Sequence, residues 1–403
     1  MIRFAPRMRG DRMHGLLVAA LLLAVAAPLA AQHAPRARDL GVPFEGTPGP
    51  LDAITDVPGV EVGERTLIDG SGKLVVGKGP VRTGVTAVFP LGKEATDGVA
   101  AGMFTLNGDG EMTGSHYLDE FGELYGPVMI TNTVSVGTVS AATIEWDRRH
   151  IHLAPALYAR VLPVVAETWD GFLNDIYGQH VTRVDVFAAL DGARGGPVPE
   201  GSVGGGTGMR CYDFKCGTGT ASRIVDTQQG RYTVGVLVQA NYGSRHQLRV
   251  AGVPVGREIT DLMPERGHGS DSTHAAGKSI IVVVATDAPL LPKQLTRLAR
   301  RVPLGLGRDG SVSTNGSGDI FIAFSVANHV RHWGPDMKHL GMVTDITPLF
   351  EGVVQCVEEA VVNALVAGRT MTGADGNRVY GLPHDRLRRI LEKYGRLSEA
   401  DGG

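Results

Sequence analysis

The chain has 403 residues, 43% of them apolar and 20% charged, with a formal charge of −3. This is ordinary globular composition, and the mildly acidic balance argues against a nucleic-acid partner. Glycine is the outlier at 56 residues; it excludes a helical bundle and, lacking a three-residue period, a collagen, and it points to tight turns and close backbone approaches.

In chain order, Arg3, Arg7, Arg9 and Arg12 precede an apolar run from Leu16 to Leu29, then Ala30, Ala31 and Gln32. A basic start, a short apolar run and a small-residue cleavage site read as a secretory signal peptide over residues 1–31. The run is short and Ala-rich for a membrane span, although an uncleaved anchor is the alternative. Its removal takes away four Arg and one Asp and leaves a formal charge of −6. No later apolar stretch reaches about 18 residues. The mature protein is therefore expected to be soluble, exported to the periplasm or secreted, and without stable membrane association.

Residues 32–56 are rich in Pro, Gly and Ala and read as an irregular arm. Val81 to Phe89 and Val128 to Val139 read as strands, Leu153 to Thr168 has helical spacing, and Val181 to Ala189 reads as another strand. A Gly-rich segment spans 201–219. Its Gly204 to Gly208 resembles a phosphate cradle, but no Lys follows in P-loop spacing. Cys211 and Cys216 are five apart without a second pair to complete a zinc site; a disulfide and two free thiols both stay open. Cys356 lies in an apolar helical stretch and reads as core.

Arg231 to Ala240 is β-branched and apolar and predicts a strand. Residues 261–278 are small, polar and without periodicity, an exposed flexible linker. At Ser279 the character changes. Ser279 to Ala285 is a continuous apolar run, the pattern of a strand buried on both faces. Thr286 and Asp287 then suit a helix cap, with Pro289 in the first turn and Leu291, Leu295, Leu298 and Val302 as the buried stripe. Residues 319–326 predict a strand, and Phe350 to Ala367 a long helix. No internal repeat is visible. The order of elements predicts an α/β protein of stacked layers, sheets covered by helices, and simple βαβ alternation is missing.

A loose linker ending at a Ser that opens a buried strand suits an N-terminal nucleophile. Cutting the Lys278–Ser279 bond would give one residue a hydroxyl to attack with and an α-amine, of intrinsic pKa about 7.7–8.0, to take its proton.

Three stretches carry a family resemblance: Glu167-Thr-Trp-Asp-Gly171 with Leu173-Asn-Asp-Ile176; Gly204-Gly-Gly-Thr-Gly-Met209 with Val236-Leu-Val-Gln-Ala-Asn-Tyr-Gly243; and Ser279-Ile-Ile-Val-Val-Val-Ala-Thr-Asp-Ala-Pro-Leu290 with Asn315-Gly-Ser-Gly-Asp319. Together they resemble the serine peptidases that include the L-aminopeptidase/D-esterase and the β-peptidyl aminopeptidases, from about residue 40 to about 385. The resemblance implies a layered αββα sandwich, similar to the ornithine acetyltransferase-like, Ntn-hydrolase-type architecture. It implies self-cleavage into residues 32–278 and 279–403, which form one composite catalytic domain and then a homo-oligomer of αβ heterodimers. It implies hydrolysis of the N-terminal residue (L-α-, D- or β-) from short peptides, amino-acid amides or esters, through an acyl-enzyme, with no cofactor and no metal.

The same resemblance implies the site. Ser279 is the nucleophile. Ser317 and Asp319 match a Ser-x-Glu pair that orients the nucleophile and its amine, the Asp one methylene shorter. Asn241 matches an oxyanion-holding amide, and Glu167 a carboxylate that binds the substrate's amino group. The family often has Tyr where this chain has Trp169, whose indole donates but cannot accept a proton, and a small or amide residue where this chain has Lys278. Two other readings use the same residues: an acyltransferase passing its acyl group to an amine, and an uncut exported binding protein.

Overall fold

A computed structural model describes residues 35–150, 162–267, 278–330 and 342–398. The expected signal peptide, the linker from 268 to 277 and residues 153–161 of the expected helix lie outside the described residues. In chain order the strands are β1 (Glu61–Asp69), β2 (Val81–Phe89), β3 (Gly98–Gly108), β4 (Glu123–Leu124), β5 (Val128–Asn132), β6 (Val164–Thr168), β7 (Arg210–Cys211), β8 (Phe214–Lys215), β9 (Thr218–Thr227), β10 (Gly230–Asn241), β11 (Lys278–Thr286) and β12 (Ser317–Val330), followed by a small hairpin near the C-terminus. The helices of the outer layers are α1 (Val136–His150), α2 (Arg183–Asp191), α3 (Pro292–Ala299), α4 (Val302–Arg308), α5 (Thr347–Ala367) and α6 (His384–Lys393).

Two sheets form, one in the order β1-β2-β5-β6 and one in the order β4-β3-β12-β11-β10-β9. Within the second, β11 runs parallel to β12 and antiparallel to β10. The period-two alternation of side chains assigns each face. Ile281, Val283 and Ala285 of β11, with Leu237, Ile320, Ile322 and Phe324, join Val62, Val88, Ile130 and Ala166 of the first sheet in one buried cluster. Ile280, Val282 and Val284, with Val236, Val238, Phe321 and Ala323, pack instead on Leu295, Leu298, Leu306, Val353, Val357 and Leu387 from α3 to α6. The outer face of the first sheet packs Val85, Ala87, Met129 and Val165 on Val139, Trp146, Val186 and Leu190 of α1 and α2. The layers are therefore helix, sheet, sheet, helix, as expected.

Several element readings need correction. The strand expected over Val128 to Val139 stops at Asn132, whose Oδ1 accepts from the N–H groups of Val134 and Ser135 and caps the turn into α1. The cap outweighs the β-branched residues beyond it. Val181 to Ala189 is not a strand: Asp185 accepts from the Thr182 N–H and hydroxyl, and Val186, Ala189 and Leu190 form the buried stripe of α2. Val164 to Thr168 is strand rather than helix, paired parallel to β5. The helix after β11 begins at Pro292, not at Asp287. Thr286 donates to the Thr233 carbonyl and Asp287 accepts the Thr233 N–H, so both stay tied to β10.

Candidate active site

The continuous apolar run that predicts β11 also fixes Ser279. Lying between two paired strands, Ser279 is held opposite Asn241 of β10 and Gly318 of β12. Both Ser279 and Asn241 are buried. Alternation turns the Ser279 side chain to the face of Ile281 and Val283, into the space between the sheets. Asn241 shares that face with Leu237 and Gln239. Gln239 donates across to the Thr131 carbonyl and the Thr168 hydroxyl of the first sheet, at 2.9 and 2.8 Å. One step further, Asn241 Nδ2 donates to the Trp169 carbonyl at 2.9 Å, and its Oδ1 accepts from the Arg210 N–H at 3.0 Å. These bonds fix the plane of the amide.

Ser317 and Asp319 stand on either side of Gly318, and alternation puts them with Phe321 and Ala323 on the helix-facing side of the sheet. The Ser317 hydroxyl donates to Asp319 Oδ1 at 2.7 Å, and Asn107 Nδ2 approaches Oδ2 at 3.4 Å. Burial raises the Asp319 pKa, and the hydrogen bonds from Ser317, Ser313 and Asn107 oppose that rise. The pair lies beside the backbone of 278–280, not beside the Ser279 hydroxyl: Ser317 is in register with Lys278, and Asp319 with Ile280. Lys278 reaches away, its Nζ donating to Ser244 Oγ at 2.6 Å.

Glu167 is the penultimate residue of β6, in register with Thr131 of β5. The Glu111 N–H donates to its Oε1 at 3.0 Å, and the Thr133 hydroxyl donates to its Oε2. Burial raises its pKa; those two hydrogen bonds act against the rise, and the charges of Glu111 and Asp109 add to it. The loop carrying Glu111 brings this carboxylate toward β12. A Cβ on Gly110 would come within 3.2 Å of both Glu167 Oε1 and Gly318 Cα, and one on Gly318 would meet the Asp109 carbonyl oxygen at 2.4 Å. Gly318 needs glycine because backbone crosses backbone there, and Gly110 is tight for any side chain.

Trp169 contributes its carbonyl to Asn241, while its ring packs with Phe172, Leu173, Met371 and Val379. The structure thus gathers Ser279, Asn241 and the Ser317–Asp319 pair on three adjacent strands, with Glu167 of β6 brought toward β12 by the Gly110 loop. Thr133, Gln239, Asn107 and the backbone N–H groups of Glu111 and Arg210 support the site and carry no sequence signal of their own. Cys211 and Cys216 form a disulfide, with Cα atoms 5.5 Å apart, and Cys356 is buried in α5. Among the described residues no group of three or more His, Cys, Asp or Glu side chains is arranged to hold a metal ion.

Comparison with known proteins follows the same lines. Residues 52–379 match Peptidase family S58. The beta-peptidyl aminopeptidase BapA of Sphingosinicella xenopeptidilytica is 53% identical over 386 residues, covering 93% of this chain and 95% of that protein. The solved L-aminopeptidase D-Ala-esterase/amidase of Ochrobactrum anthropi, a prototype for the serine aminopeptidases and a variant of the Ntn hydrolase fold, is 47% identical. It superposes with a TM-score of 0.82 over 90% of this chain and 100% of its own. The beta-aminopeptidase of a Burkholderia species is 45% identical, with a TM-score of 0.79 over 90% of this chain and 99% of its own.

Proposed function

The chain belongs to peptidase family S58, and from that membership we propose a serine aminopeptidase that cuts its own backbone before Ser279 and then works through an acyl-enzyme on that residue. Its αββα sandwich is of the Ntn-hydrolase type. The observation that carries the reading is the register of β11. Ser279 stands opposite Asn241, and the residue that cleavage would detach, Lys278, is the one opposite Ser317. Breaking that bond would leave a new α-amine level with the Ser317–Asp319 pair while the hydroxyl stays on the inter-sheet face.

The mechanism follows from these positions. The substrate's ammonium group lies against Glu167, within an acidic patch shared with Asp109 and Glu111. The Ser279 hydroxyl attacks the first amide carbonyl and passes its proton to its own amine. The Asn241 amide stabilises the oxyanion, an effect of about 2.7–4 kcal/mol on the barrier for one such donor. The amine returns the proton to the leaving nitrogen, and water then releases the acyl group. Asp319 holds the amine in place and favours its charged form during the step.

Export fits the same reading. The leader pattern of residues 1–31 supports it, and so does the Cys211–Cys216 disulfide, because the cytosol keeps thiols reduced. The test is a denaturing gel with N-terminal sequencing. Two fragments are expected, the smaller starting Ser-Ile-Ile and the larger at Gln32, and S279A should give one uncut, inactive chain. A full-length chain that hydrolyses aminoacyl substrates with Ser279 replaced by Ala would end this proposal.

A further inference from the structure

Arg210 occupies a position that the mechanism above leaves unused. Its N–H is bound to Asn241 Oδ1 at 3.0 Å, and it precedes the disulfide that closes the β7–β8 hairpin. Its half-buried guanidinium lies 4.4 Å from the centroid of Phe172, and that of Arg266 lies 5.6 Å from the same ring. Among the described residues the Arg210 guanidinium makes no hydrogen bond and no ion pair. Burial disfavours its charge, Asp213 offsets part of that cost, and Arg266 adds to it. A partly desolvated cation next to a like charge is unfavourable until an anion completes the site.

The two ends of the site carry opposite charge. Ser279 sits in β11, between β12 and β10. On the β12 side lie Glu167, Asp109 and Glu111; on the β10 side lies Arg210. Arg210 joins the β10 side through its backbone N–H on Asn241, and Glu167 joins the β12 side through the Gly110 loop, so a substrate held at Ser279 has an acidic group on one flank and a basic one on the other.

We propose that Arg210, on its Phe172 platform, binds the carboxylate of the leaving residue, so that the preferred substrate is a zwitterionic dipeptide with a free C-terminus. This deepens the aminopeptidase reading and rests on it. A guanidinium seated over an aromatic face keeps its N–H fork available to a carboxylate, which it can meet with two parallel bonds. The amide at the scissile bond then lies between two anchored charges, which sets both its distance and its direction relative to Ser279.

The experiment uses the processed enzyme and four probes: alanyl-alanine, β-alanyl-alanine and the C-terminal carboxamide of each. The readout is the ratio of kcat/KM for the free acid to that for its carboxamide. Within one preparation this ratio does not depend on the folded fraction, so a destabilised variant still reports. The native enzyme should favour the free acid by about 10- to 100-fold, mainly through KM, as expected for a charge-assisted pair. R210Q should bring the ratio close to one, and R210K should retain part of it. A native ratio near one, or a preference that survives R210Q, overturns the proposal and leaves the aminopeptidase reading standing. A native enzyme inactive on all four probes removes both.

Discussion

Asn241 and Glu167 carry most of what distinguishes this site at the residue scale. The Asn241 amide is held on both ends by backbone groups, so N241A should lower kcat by about 10²–10³-fold with little change in KM. Steady-state kinetics on an aminoacyl p-nitroanilide would show it, and a change confined to KM would assign Asn241 to substrate binding instead. In the proposed mechanism Glu167 must be ionised to hold an ammonium group, and burial raises its pKa. Activity should therefore fall, as pH drops, through a limb lying above the ordinary carboxylate range. T133V removes the hydroxyl that favours the ionised form and should move that limb up by about one pH unit, while E167Q should abolish it. A pH profile of kcat/KM with the same limb in all three proteins would place the titration on another group.

The β7–β8 hairpin shows how one element governs the site from its edge. Cys211 and Cys216 close it, Arg210 gives its N–H to Asn241, and Tyr212 gives its N–H to the Tyr242 carbonyl at 2.8 Å. Tyr212 and Asp213 have φ of 51° and 60°, a left-handed conformation that non-glycine residues rarely adopt unless the surroundings impose it. Replacing both cysteines with Ala should lower kcat, and in an N241A background the same replacement should cost little more, because the hairpin acts through that amide. A loss that simply adds in the double variant would mean the disulfide supports the fold and not the oxyanion. Elements that their own apolar pattern decides were legible in advance: β2, β10, β11 and α5 follow from apolar runs and helical spacing. Where a short capping bond decided between helix and strand, as at Asn132 and Thr182, the apolar pattern alone misled.

Across the whole molecule, the fragments on either side of Ser279 are interleaved. β11 and β12 of the second fragment lie between β3 and β10 of the first, so a cut chain should elute as a single species without denaturant. Buried carboxyls set the pH dependence of stability. Desolvation pushes the pKa of Asp147 and Asp170 up to about 7 and that of Glu64 up to about 8, and both carboxylate oxygens of Glu64 are buried without a hydrogen-bond partner. Each native pKa is raised above its unfolded value. The stability these groups contribute is thus complete below about pH 4 and lost as pH rises toward 7–8, at up to about 1.4 kcal/mol per group per pH unit. Thermal melts should show Tm declining from pH 5 to 7.5, with a shallower decline in E64Q. A Tm that rises over that range would show these groups to be ionised in the folded protein.

Local chemistry was enough to predict stacked layers of sheet and helix and the Ser that opens a buried strand, because a continuous apolar run and a change of composition are written in consecutive residues; the family was read from the resemblance of three motif stretches. The register that sets Ser279 between Asn241 and Gly318 was decided only by the fold. So were the face on which Ser317 and Asp319 lie, the loop crossing at Gly110 that brings Glu167 near, and the Cys211–Cys216 pairing. Each of these depends on contacts between segments tens to hundreds of residues apart, where sheet pairing, not sequence proximity, determines which side chains meet.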